Sequence, residues 1–149
     1  LIPRGDETLR PAMVKALRRM KATESALALI AADVAKSKHE AEIWRDAIRV
    51  LRVMKPKTGS LHNAFAHEDP VVRQEAGVLA ILCPHLVDEA TLIHALNDAD
   101  NSVRDFVVQA LRARKTTDGL NSTIKSALQA RLRIEEDPVV RGDLEMALQ

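Results

Sequence analysis

The sequence predicts an all-α protein made of stacked helical pairs, and three observations carry the prediction. The first is a phrase that returns along the chain: Asp69-Pro70-Val71-Val72-Arg73, Asp100-Asn101-Ser102-Val103-Arg104 and Asp137-Pro138-Val139-Val140-Arg141, with fainter copies at Leu9-Arg10 and Trp44-Arg45. The second is the stretch after each copy, where apolar residues recur at helical rather than alternating spacing. The third is composition, 46% hydrophobic but only 2% aromatic, with 5 glycines in 149 residues. Many alanines and few aromatics suit helices packed at short range, not a sheet. The phrase arginines fall at positions 10, 45, 73, 104 and 141, in steps of 28 to 37 residues, a period that belongs to repeat arrays. The expected architecture is a right-handed α-solenoid of four to five repeats. Each repeat is an antiparallel helix pair, A then B, and the core forms by stacking neighbours.

Residues 1–8 read as a flanking linker to a single repeat domain spanning 1–149. The chain lacks an initial Met and its last helix runs into Gln149, which gives the expectation of a segment cut from a longer array. The first B helix starts at Leu9-Arg10 and ends Ala16-Leu17-Arg18, matching Ala110-Leu111-Arg112 of the fourth copy. The second runs through Ile43 to Leu51. In the third, Asp69 is placed to accept the orphan N–H groups of the first turn, and Pro70 takes the first helical position, where its missing donor is harmless. Val72, Ala76, Leu79, Ala80 and Cys83 then form the inward stripe, and Pro84 is the stop. Asp98 or Asp100 caps the fourth copy, with Val103, Val107, Ala110 and Leu111 inward. Asp137-Pro138 opens the fifth, with Val140, Leu144, Ala147 and Leu148 inward. The four A helices are expected at Glu24 to Lys36, Ser60 to Ala66, Glu89 to Asn97 and Asn121 to Ile134. Their expected caps are Thr23 or Ser25, Thr58, Asp88 and Asp118.

Taken together, Asp-Pro-x-Val-Arg-x-x-Ala-x-x-Ala-Leu resembles the HEAT-repeat pattern, closely over Asp69 to Ala80 and Asp137 to Leu148, and more faintly across the rest of Leu9 to Gln149. The resemblance implies an Asp/Arg ladder between successive repeats and a concave face lined by B helices. Armadillo arrays are the near alternative; the Trp, Gly, Tyr and Pro pattern of tetratricopeptide arrays is missing, and there is no Tyr at all. Within the phrase itself, Asp69/Arg73, Asp100/Arg104 and Asp137/Arg141 are spaced i, i+4, so each is expected to pair on its own helix. Arg45, Arg73, Arg104 and Arg141 are thus structural.

Net charge is +1, but it is uneven. The five B segments carry +5, +4, 0, +3 and −1 in order, hence +11 together against −10 elsewhere. One reading is structural: Arg18, Arg19, Lys21, Arg52, Lys55, Arg112, Arg114 and Lys115 sit near helix C-termini and complement the dipole there. The other is a basic concave face for an acidic peptide or protein. On that reading Arg10, Lys15, Arg18, Arg49 and Arg52 bind the partner, since most of them stand outside the ladder. Nucleic acid is the alternative partner, disfavoured by the near-neutral total and by three aromatics, Trp44, Phe65 and Phe106, too few for a stacking platform.

Little in the chain points to catalysis. A HEAT-type iron hydroxylase uses repeated His-Glu pairs, and His39-Glu40 and His67-Glu68 are similar. They are read as loop residues one repeat apart, too distant to share an ion. His62, His85 and His94 have no metal-ligand spacing. No phosphate loop or nucleophile elbow is present. A HEAT-like lyase or glycosylase finds no further support. No cofactor and no metal are expected. The lone Cys83 excludes an internal disulfide and reads as a buried thiol. The longest apolar runs, residues 26–32 and 77–83, fall far short of a membrane span. The expected location is cytoplasmic, the expected role a protein-interaction scaffold.

Overall fold

The computed structural model describes Ala26 and residues 38–149. The described residues form seven helices and no strand: α1 (Lys38–Met54), α2 (His62–Phe65), α3 (Pro70–Leu82), α4 (Glu89–Ala95), α5 (Asn101–Arg112), α6 (Ser122–Leu132) and α7 (Pro138–Ala147). A 3-10 turn at Pro84–Leu86 follows α3. The expected first B helix, and the first A helix with its Thr23 or Ser25 cap, lie outside the described residues apart from Ala26, which is helical and buried. None of the described helices is long and apolar enough to cross a membrane.

The helices form where local chemistry permits. Asp69, Asp100 and Asp137 all take extended backbone and accept N–H groups of the first turn, from Val71, Val103 and both Val139 and Val140 respectively. Pro70 and Pro138 occupy the first turn as expected. Helix α3 stops at Cys83, the residue before Pro84.

Two expected A-helix starts are corrected. Thr58 caps nothing: α2 is four residues long, begins after Leu61 and has no side-chain cap. The left-handed Gly59, φ +139°, turns the chain too late for a longer helix, and Leu61 N–H is taken by Leu86 C=O at 2.8 Å. Asp118 is likewise replaced as cap of α6 by Asn121, whose side chain accepts from Ile124 N–H at 2.8 Å. Asp118 instead lies in a turn closed by paired bonds between Thr116 and Gly119, where Gly119 supplies φ +94°. Asp88 caps α4 as expected, accepting from Thr91 N–H at 2.7 Å.

Packing follows chain order in two layers. Helix α1 packs on α3, α3 on α5 and α5 on α7, while α2, α4 and α6 form the other layer, each against the helix that follows it and against its layer neighbour. The core runs continuously between the layers, with Ile48, Leu51, Leu61, Leu79, Leu86, Leu92, Leu96, Leu111, Ile124, Leu128 and Leu144 fully buried. Helices α3 and α5 lie close together at Gly77, where a Cβ would stand 2.7 Å from Phe106 Cβ.

Candidate functional site

The repeated phrase builds an arginine clamp on the loops that lead into α3, α5 and α7. Arg73 Nη1 donates to the carbonyls of His67 (2.7 Å) and Glu68 (2.8 Å), closing the loop before its own helix. Its Nε and Nη2 reach across to the next loop and grip both oxygens of Asp98, at 2.6 and 3.0 Å. Arg104 repeats the device: Nη1 donates to Asp98 and Ala99 carbonyls at 2.9 and 3.2 Å, and Nε and Nη2 grip Glu135, both at 2.8 Å. Arg141 keeps the backbone half, to Glu135 C=O at 3.4 Å, and pairs with Glu145 on its own helix at 3.5 Å.

These contacts correct the expected i, i+4 Asp/Arg pairs. Asp69, Asp100 and Asp137 serve their own helix N-termini, and Asp100 and Asp137 also accept neighbouring amides, from Gln74 at 3.1 Å and Asn101 at 2.6 Å. A carboxylate so occupied has few lone pairs left, whereas a guanidinium fork has donors enough for two carbonyls and a bidentate acid. The acid it meets stands two residues before the next cap. Asp98 and Glu135 also accept the cap's own N–H, at 2.9 and 3.0 Å.

Glu135 is the centre of the strongest rung. Its side chain is 0% exposed and is shared by Arg104 and Arg131, each at 2.8 Å. Burial alone would raise this carboxyl; the hydrogen bonds from Arg104 and Arg131 outweigh it and hold the group down, to about 2. The phrase alone does not single out Asp98 and Glu135 as ladder acids. The signal available is the recurring acid-x-Asp, Asp98-x-Asp100 and Glu135-x-Asp137.

At α1 the rung changes character. The equivalent position is His67, 7% exposed, whose Nδ1 accepts Asp69 N–H at 3.0 Å just as the acids do. Its Nε2 is buried without a hydrogen-bond partner, and its ring lies 5.2 Å from the Trp44 ring. Arg45 turns back to Ala41 C=O at 3.4 Å.

The expected partner-binding arginines divide. Arg10, Lys15 and Arg18 lie outside the described residues. Arg49 and Arg52 lie on α1 and converge on Glu75 of α3, at 3.5 and 2.9 Å, with Asp46 3.7 Å from Arg49. The two expected arginines of α1 are therefore partly neutralised by Glu75 and Asp46. Farther along the same layer, burial, together with the neighbouring Asp143 of α7, lifts the Asp105 carboxyl from 3.8 to about 6, and its Oδ1 is buried without a hydrogen-bond partner.

His39 and Glu40 belong to α1, not to a loop, and His67 is committed to its rung. No group of three or more His, Cys, Asp or Glu able to hold a metal occurs among the described residues. In the other layer, α2 and α4 leave a groove of about 520 Å³ between them, lined by His62, Phe65, Asp88, Thr91 and His94. His62 Nδ1 and the Thr91 hydroxyl are already bonded across it at 3.0 Å. Comparison with protein-family models, with curated proteins and with solved structures returned no match to this chain.

Proposed function

We propose that this chain is a right-handed α-solenoid of HEAT-like repeats that works as a protein-interaction scaffold for an acidic segment of a partner. One observation carries the reading: the same clamp, cap aspartate plus arginine plus a carboxylate from the next loop, is built twice in succession, by Arg73 with Asp98 and by Arg104 with Glu135. A unit copied with its inter-unit bond intact is what an array needs, and an array's product is extended surface.

The acidic partner follows from the charge pattern. Arg49 is 54% exposed and holds its two carboxylates only at 3.5 and 3.7 Å, loose enough for an incoming carboxylate to compete. A fluorescently labelled oligo-glutamate peptide titrated with the full chain tests the reading. Saturable binding that weakens with added salt is expected; binding by a single-stranded oligonucleotide but not by the peptide, or by neither, would sink it.

A further inference from the structure

The cations of the described residues sort by edge. On the edge where A-to-B loops gather, Arg73 and Arg104 are consumed by the clamps. The opposite edge is made by the B-to-A loops, residues 55–61, 83–88 and 113–121, which are tied side by side. His85 Nε2 meets Pro56 C=O at 2.6 Å, and Arg114 Nη2 donates to Pro84 C=O at 2.7 Å and to Val87 C=O. On this edge Lys55, Lys57, Arg112, Lys115 and Lys125 are all exposed and make no hydrogen bond or ion pair with their side chains. Among residues 41–149, whose side chains the structure describes, Arg133 is the one such exposed, unengaged cation on the other edge.

The arrangement has a pattern. Lys55 and Lys57 form one cluster on the first loop; Arg112 and Lys115 form a second around the third. The middle loop carries the exposed His85 and no lysine or arginine. Adjacent helices pack 8–10 Å apart, so clusters two loops apart lie roughly 16–20 Å from each other. Exposed hydroxyls of Thr58 and Thr117 flank the two clusters and add hydrogen-bond donors for a carboxylate. Asp88 and Asp118 are exposed between and beside the cations. A nucleic-acid backbone, with charge at every nucleotide, would run against them, and these loops hold no aromatic residue for a base to stack on.

We infer that the B-to-A loop edge, through its Lys55/Lys57 and Arg112/Lys115 clusters, is the docking surface for an acidic protein segment whose carboxylates come in two groups. The inference rests on the scaffold reading and adds this edge to the α1 face as a contact for its acidic partner. An extended chain advances about 3.3 Å per residue, so the two acidic groups are separated by about five or six residues.

The test uses the full chain and two labelled peptides of equal composition at low ionic strength. One has two Glu pairs separated by four neutral residues; the other has all four Glu contiguous. The spaced peptide is expected to bind more tightly, and Lys57→Glu/Lys115→Glu to weaken it about tenfold or more. Both positions are exposed and unbonded, so circular dichroism should show the variant folded like wild type. An Arg133→Gln variant, on the opposite edge, is expected to bind as wild type does, and an Arg49→Gln/Arg52→Gln variant probes the α1 face. Equal affinity of wild type and the lysine variant overturns the edge site, and loss confined to the Arg49/Arg52 variant does so while leaving the scaffold reading intact. Wild type that binds neither peptide overturns both. Tighter binding of a single-stranded DNA of equal charge overturns the acidic-protein occupant.

Discussion

Two carboxyl groups of this chain titrate with opposite consequences. Asp105, lifted to about 6 by burial and by Asp143, favours its protonated form when folded. The stability it lends is present below its ordinary 3.8 and is lost as pH rises through about 6. Glu135, held down to about 2, does the reverse: its contribution is present above 4.5 and is lost as pH falls toward 2. Urea unfolding across pH should therefore show Asp105→Asn more stable than wild type at neutral pH, without the wild-type decline between about pH 4 and 6. An unchanged slope in that window would refute the raised Asp105 carboxyl. Glu135→Gln should lose about 3–5 kcal/mol at neutral pH, because Arg104 and Arg131 are left facing a neutral amide. A loss under about 1 kcal/mol would place the pair among the weak surface bridges. The caps Asp69, Asp88 and Asp137 were legible in the sequence, and Asp100 as one of two candidates, because an N-cap acts within three residues. The clamp's acids were not, because Asp98 and Glu135 lie 25 and 31 residues from the arginines that hold them, and only the stacking of loops brings them together. His67 was legible as a residue type but not as the stand-in for a ladder acid, since that role appears only when three loops can be superposed.

The helices of the B layer are set by how closely their axes come. Gly77 lies inside α3 with no positive φ to require it, so helix propensity alone would favour alanine there, by about 1 kcal/mol. Packing reverses the sign: the added Cβ would meet Phe106 Cβ at 2.7 Å, an atom fixed to its own backbone and unable to swing away. Gly77→Ala is expected to lower the melting temperature, and pairing it with Phe106→Ala should not restore the full loss, since the clash is with Cβ itself. A melting temperature raised by Gly77→Ala would show that α3 and α5 can separate at no cost. At this scale α3, α5 and α7 were readable, since their aspartate caps and the Pro84 stop are strong local signals, whereas α1 begins five residues before the expected Ile43. The A helices were readable in existence but not in extent. For α2 the apolar content of residues 60–66 suggested two turns, yet the chain is drawn off into a loop-to-loop bond, Leu61 to Leu86. For α6 the cap shifted from Asp118 to Asn121, because Gly119 makes a tight turn around the aspartate.

Among the described residues each helix meets chiefly the helix that follows it and its layer neighbours. The proposed array makes stability local and passes it from unit to unit through shared interfaces. Truncating a fully buried leucine costs about 2–5 kcal/mol; what distinguishes an array from a single cooperative core is how far that loss spreads. Leu144→Ala removes a side chain at 0% exposure from α7, weakening its seat on α5 and α6. In an array, amide hydrogen exchange should then quicken in α6 and α7, less in α5, and hardly at all in α1 and α3, which are joined to the damage only through α5. In a single cooperative core every helix would lose protection by the same free energy, because all would open by one global event. The rung at Glu135 sharpens the expectation. It ties α5 and the loop before α7 by a buried bidentate bond, so it is the point at which unzipping from the α7 end should stall. Combining Leu144→Ala with Glu135→Gln should let the loss pass into α5, with a coupling energy between the two substitutions that neither shows alone. Equal loss of protection across α1, α3, α5 and α7 in the single Leu144→Ala variant would overturn the array.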